Sequence, residues 1–135
     1  MKTVLVYCWN SVCEPMAVRA MRDAGYQVIE FYGKINDYHA DAEFAQQFMV
    51  QLHESKPDMV FSYDYFPLIS MICEMNRIPY AVWVYDCPQY MLLSKTITNN
   101  CNNIFCFEYD YTEHLKKQKE KKIHHFPLAA DLEMY

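Results

Sequence analysis

The sequence predicts a doubly wound α/β fold, a three-layer α/β/α sandwich with a mostly parallel sheet of five or six strands, and three observations predict it. Short apolar runs rich in β-branched and aromatic residues alternate with segments whose apolar residues recur at helical spacing. The runs are apolar almost throughout, as befits strands covered on both faces. The alternation continues along the chain without a break, which is the signature of parallel strands joined by right-handed helical crossovers.

"TVLVYC" (3–8) opens the chain as a buried strand. Val12, Met16, Ala17, Ala20, Met21 and Ala24 follow at helical spacing, with Pro15 suited to a first turn and Gly25 to the left-handed position past the end. "YQVIEFY" (26–32) reads as the second strand, and 40–55 as a helix with Phe44, Ala45, Phe48, Met49 and Leu52 on one face. "DMVFSY" (58–63) is the third strand, and 66–76 a short helix turning Leu68, Ile69, Ile72 and Cys73 inward. "YAVWVY" (80–85), one or two helical turns in 89–98, "NIFCFE" (103–108), a polar helix over 110–121 and a last strand "KIHHFP" (122–127) complete the series. The strand order 2-1-3-4-5 with a sixth edge strand is favoured, because six strands leave little room for two complete mononucleotide-binding halves. Residues 1–127 form one Rossmann-like domain in this reading, and 128–135 begin a linker.

Composition narrows the function classes. An apolar fraction of 53% and an aromatic fraction of 16% argue against disorder. A formal charge of −5 gives no general attraction to nucleic acid or anionic membrane. The basic run "KKQKEKK" (116–122) reads as a solvated helix face. No apolar stretch is long enough for a transmembrane segment, and "MKTVLVYCWN" fits a first strand better than a signal peptide. The six cysteines form no Cys-x-x-Cys pair, so no metal is expected and free thiols in a cytoplasmic setting are. Adjacent His124 and His125 point to opposite faces of a strand and do not share a metal.

The strongest pattern is a repeat. "KPDMVFSYDYFP" (56–67) and "IPYAVWVYDCP" (78–88) both run from a proline through apolar residues to Tyr-Asp, with the aspartate seven positions after the proline. In a parallel sheet the strand ends share one rim, and ligands bind in the crevice outside it. Strands lie about 5 Å apart, so Asp64 and Asp86 are expected as neighbours there. Trp9, Asn10, Ser11, Tyr63, Tyr65, Tyr85 and Tyr90 are the expected substrate-binding residues around them. Two carboxylates in one dry cleft couple, and the one whose pKa is raised can accept a proton near neutrality; Asp86 and Asp64 are thus the candidate catalytic bases. The plainer reading stands beside this one: Asp64, followed by Pro67, suits the cap of the next helix, and the tyrosines suit half-buried sheet edges. Cys87 beside Asp86 has no neighbour in sequence to activate it and reads as a structural thiol.

Other nucleotide-binding architectures fit poorly. "YCWNSVCEP" (7–15) contains no glycine, so backbone cannot approach a dinucleotide's pyrophosphate there as in NAD- or FAD-binding folds. A phosphoacceptor receiver domain wants an acidic pair after strand one and a lysine after strand five; these positions hold Trp9-Asn10-Ser11 and Glu108-Tyr109-Asp110.

"YCWNS", "PDMVFSYDYFPLIS", "IPYAVWVYDCPQYMLLSKTITNNCNNIFCFE" and "HHFPLAAD" resemble an N-terminal domain found ahead of a GT-B glycosyltransferase-like half, in bacterial proteins related to spore-maturation glycosyltransferases. The resemblance spans essentially the whole chain. It implies that this domain holds a glycan or other hydroxyl acceptor, that it needs no cofactor of its own, and that its partner is a C-terminal glycosyltransferase domain binding the nucleotide-sugar donor. It further implies that the domain alone transfers no sugar, with Asp64 or Asp86 acting as base in an inverting reaction and only binding in a retaining one. The alternative is a non-catalytic binding or interaction module using the same strand-end cleft.

Overall fold

The computed structural model describes residues 1–84, 90–106, 112–113 and 123–125, and it has the predicted layers. Six strands, β1 (Thr3–Cys8), β2 (Gln27–Tyr32), β3 (Met59–Tyr63), β4 (Tyr80–Val84), β5 (Asn102–Cys106) and β6 (Ile123–His125), make one sheet in the order β2-β1-β3-β4-β5-β6. Every pairing is parallel. Helices α1 (Glu14–Asp23), α2 (Ala42–Ser55) and α3 (Pro67–Asn76) supply crossovers, and two 3₁₀ turns, Tyr90–Leu93 and Lys95–Thr98, lie between β4 and β5. The chain reverses its winding between β1 and β3, as the favoured order requires.

The two faces of the sheet bury different sets. Val4, Val6, Cys8, Phe61 and Tyr63 point to the face covered by α1, where they meet Ala17 and Val18. Leu5, Tyr7, Val60, Tyr80, Val82 and Ile104 point to the other face, against Phe44, Phe48 and Leu52 of α2 and Leu68, Ile69 and Ile72 of α3. Strands buried on both sides explain why their sequences are apolar at nearly every position. β2, an edge strand, is the exception: Gln27, Glu30 and Tyr32 are exposed.

Local chemistry sets the helix ends. Asp41 caps α2, its carboxylate accepting from the Phe44 amide at 3.0 Å and the Asn36 amide at 2.7 Å, which holds its pKa below the ordinary carboxylate value. Pro15 and Pro67 sit in the first turns of α1 and α3. Val12, read from the sequence as part of the inner face of α1, is 78% exposed because the helix begins only at Glu14. The polar helix expected over 110–121 is described only at residues 112–113, which are helical, and the linker expected over 128–135 lies outside the described residues.

On the α2–α3 face a buried polar network ties distant segments together. Asn102 donates to the carbonyls of Thr96 (2.9 Å) and Ile97 (3.2 Å) and to the Tyr65 hydroxyl (3.3 Å), and accepts from the Ser70 hydroxyl (2.7 Å). The Tyr65 and Thr96 hydroxyls are 2.5 Å apart. The start of β5, the second 3₁₀ turn, the β3–α3 connection and α3 are thereby bonded into one unit.

α2 and α3 both end on a non-glycine residue in the left-handed region, Lys56 (φ 46°) and Arg77 (φ 54°). An L side chain there costs about 1 kcal/mol relative to glycine. Lys56→Gly is therefore expected to stabilise the chain by about 1 kcal/mol, measured as a rise of a few degrees in Tm by circular dichroism.

Candidate functional site

The register of the central strands decides what meets at the rim. β1 pairs Cys8 with Tyr32 of β2, and Val6 with Phe61 of β3. Continued by one and three residues, the same register sets Trp9 level with Gly33 on one side and with Asp64 on the other. A cavity of about 700 Å³ opens there, lined by Tyr7, Cys8, Trp9 and Asn10 from β1 and its following turn. Tyr32, Gly33, Lys34, Ile35 and Tyr38 line it from the β2 side, and Asp64, Phe66 and Met91 from the β3 side.

The wall is built from aromatic rings, two pairs edge-on and one tilted. Phe66 packs against Tyr7 at 5.0 Å between centroids, Trp9 at 6.3 Å and Tyr38 at 6.0 Å. The Trp9 indole N–H donates to the Tyr63 carbonyl at 2.6 Å, pinning the ring across the β1–β3 boundary. The Tyr7 hydroxyl donates to the Gly33 carbonyl at 2.7 Å and fastens the β2 side of the rim. Gly33 suits this tight passage, since a Cβ there would lie 2.9 Å from the Phe31 ring.

Asp64 and Asn10 both leave their strands in the left-handed region, at φ 65° and φ 72°. Asp and Asn adopt it more readily than other side chains, at a cost of about 1–2 kcal/mol. At Asp64 hydrogen bonds offset that cost. Its N–H donates to the Trp83 carbonyl at 3.0 Å and its carbonyl accepts from the Ser62 hydroxyl at 2.8 Å. Ser62 is held in turn by the Tyr80 hydroxyl at 2.6 Å, and that hydroxyl also accepts from the Phe66 amide at 3.3 Å. Asp64 is only 5% exposed yet is among the residues lining the cavity, and its charge, after burial, helps raise the Cys13 thiol. It is not the cap of α3: Phe66 holds that position, with no side-chain cap bond.

Several residues expected at the rim are elsewhere. Tyr63 is 2% exposed on the α1 face, stacked on Trp83, while Tyr65 is fully buried on the opposite face within the Asn102 network. Neither reaches the cavity. In an unbroken strand, residues two apart share a face; the left-handed turn at Asp64 sends these two to opposite sides. Ser11 is buried under the β1–α1 turn, its hydroxyl accepting from the Cys13 amide at 3.4 Å, and does not line the cavity. Trp9, Asn10 and Asp64 do line it. Asp86, Tyr85 and the side chain of Tyr90 lie outside the described residues. The described register of β3 and β4 pairs Tyr63 with Trp83, so the two copies of the repeat are not matched letter for letter there. Tyr7, Tyr32, Lys34 and Tyr38 went unpredicted, although the β2 end was bound to share the rim once β1 lay between β2 and β3.

Among the described residues no group of three or more His, Cys, Asp or Glu side chains could hold a metal ion, and no helix is long and apolar enough to cross a membrane. Cys8, Cys13, Cys73, Cys101 and Cys106 are free thiols.

No protein-family model and no curated protein matches this chain. Among solved structures it is similar to S. aureus MnaA, solved with UDP, at 15% sequence identity and a TM-score of 0.60. The likeness covers 91% of this chain and 43% of that one, so this chain spans less than half the length of its structural neighbour. It establishes the Rossmann-like α/β fold.

Two predictions follow from the rim. Tyr80→Phe removes the hydroxyl that holds Ser62 and accepts from Phe66, and is expected to cost about 1–3 kcal/mol in urea denaturation. Burial, then the Glu14 charge, pushes the Cys8 thiol up to about 11 from 9.0. The folded chain thus favours the neutral thiol, a contribution present below pH 9.0 and lost as pH rises to about 11. Alkylation of Cys8, followed by mass spectrometry, should stay slow at pH 8 and accelerate only toward about 11.

Proposed function

We propose that this chain is the acceptor-side half of a GT-B-type glycosyltransferase and that the strand-end cavity receives a hydroxyl-bearing glycan. The observation that carries the reading is the cavity's make-up: Trp9, Tyr38 and Phe66 line it together with one acidic residue, Asp64, at the switch point of a doubly wound sheet. Aromatic rings suit the apolar faces of a sugar, and a carboxylate accepts hydrogen bonds from its hydroxyl groups. A structural neighbour solved with UDP and more than twice as long supports a second half that binds the nucleotide-sugar donor. In this reading the isolated domain transfers nothing, and its free thiols fit a reducing cytoplasm.

In this proposal Asp64 is the general base, a role supported by its place in the cavity lining. It would take the proton of the acceptor hydroxyl as that oxygen attacks the anomeric carbon, and Trp9 and Asn10 would position the ring. Binding without chemistry is the second reading, and the deep burial of Asp64 favours it.

Trp9 lines the cavity and Trp83 stacks on Tyr63 across the sheet, so Trp83→Phe leaves Trp9 as the only tryptophan and a local reporter. Titrating a panel of neutral saccharides into that variant should give a saturable fluorescence change with at least one of them. A flat response across the panel would remove the acceptor reading. In the longer polypeptide with its donor half, Asp64→Asn should lower kcat by about 10²–10⁴ if Asp64 is the base. A smaller loss, carried by KM, assigns it to binding.

A further inference from the structure

Glu14 does something that neither the acceptor reading nor the fold likeness requires. In sheets of this architecture the amides of the turn after β1, with the N-terminus of the following helix, form the ready-made seat for a phosphate. In this chain the first two of those donors, with several behind them, are already taken. The Trp9 amide donates to one Glu14 carboxylate oxygen at 2.8 Å and the Asn10 amide to the other at 3.1 Å. The Cys13 amide donates to the Ser11 hydroxyl, the Glu14 amide to the Ser11 carbonyl and the Ala17 amide to the Cys13 carbonyl, while Pro15 has no N–H to give.

Glu14 is well built for this place. It is 5% exposed, so its carboxylate needs internal donors, and two backbone amides supply charge-assisted bonds to separate oxygens. As the first residue of α1 it also sits where the helix dipole favours negative charge. Asn10, in the left-handed region, turns the chain that follows it, and Glu14 meets the Trp9 and Asn10 amides with its two carboxylate oxygens. The Glu14 charge is felt at the cavity floor, where it adds to burial in raising Tyr7 and Cys8.

We propose that Glu14 is a built-in anion that fills the phosphate seat of the β1–α1 turn, and so is a specificity-determining residue that restricts the adjoining cavity to ligands with no phosphate at that point. A phosphorylated ligand has to displace a bonded carboxylate and lie near Asp64 as well. A neutral, hydroxylated ligand meets neither obstacle. This goes beyond the glycosyltransferase reading and holds or fails apart from it.

The test follows the Trp9 and Asn10 amide resonances by ¹⁵N NMR while inorganic pyrophosphate is titrated into the 135-residue chain. In the wild type these amides should show no saturable shift at millimolar pyrophosphate. Glu14→Ala frees them and should bind pyrophosphate at least about tenfold more tightly than wild type. The isosteric Glu14→Gln, which keeps the shape and drops the charge, should also gain affinity, and decides the matter if the alanine variant does not fold. Saturable shifts of these amides in the wild type would overturn the proposal whatever the variants do. So would folded variants that bind pyrophosphate no better than wild type. Neutral-saccharide titration with the Trp9 reporter is unaffected by either result, so failure here is distinguishable from failure of the acceptor reading.

Discussion

β1 is hydrogen-bonded on both sides, and this double pairing is the constraint on which the rest of the molecule rests. With β2 along one edge and β3 along the other, parallel and in fixed register, three strand ends come out at one level. Side chains of a strand alternate with period two, so a slip of one residue would exchange the two buried faces of β1. Val4, Val6 and Cys8 would leave α1, and Leu5 and Tyr7 would leave α2 and α3. The cost of that exchange locks the register, and the register in turn sets Trp9 between Gly33 and Asp64. The cavity is a by-product of strand geometry decided deep in the core.

Electrostatics divides the rim into two unlike parts. Toward α1, Glu14 has its charge absorbed by backbone amides and is structural as well as electrical. Toward α3, Asp64 is held through its backbone by Trp83 and Ser62, with Tyr80 behind Ser62, and the residue lines the cavity. Two acidic groups of similar burial thus stand in different relations to a ligand. The first is bonded to two backbone amides of the β1–α1 turn, and the second lines the cavity.

The layers, the strand order and most of α2 and α3 were legible in the sequence because their signals are periodic and redundant. Phe44, Phe48 and Leu52 repeat at helical spacing, and β1, β3 and β4 are short apolar runs bounded by turn residues. Part of the site was legible for the same reason: residues that immediately follow a parallel strand must reach the rim, and Trp9, Asn10 and Asp64 do. The tyrosines beside Asp64 were misread because one backbone angle is not encoded in any periodicity. The left-handed turn there separates Tyr63 from Tyr65, and nothing in "SYDYF" announces it. The Tyr-Asp repeat misled in another way, since matching letters do not imply matching register; β3 and β4 pair Tyr63 with Trp83. Glu14 escaped notice because a glutamate opening a helix is ordinary, and only three-dimensional contact shows where its oxygens go.

The Ser70–Tyr65–Thr96–Asn102 network has an implication for how such a domain tolerates change over evolutionary time. Oily contacts between α2 and the sheet can be refilled by many combinations of similar volume. Directional bonds between buried polar atoms allow no such substitution one at a time, because any single loss strands a partner without solvent. Drift at Asn102 is therefore coupled to drift at Ser70 and Tyr65. The polar joint between β5, α3 and the second 3₁₀ turn thus admits change only in concert, where the oily contacts beneath α2 can yield one residue at a time.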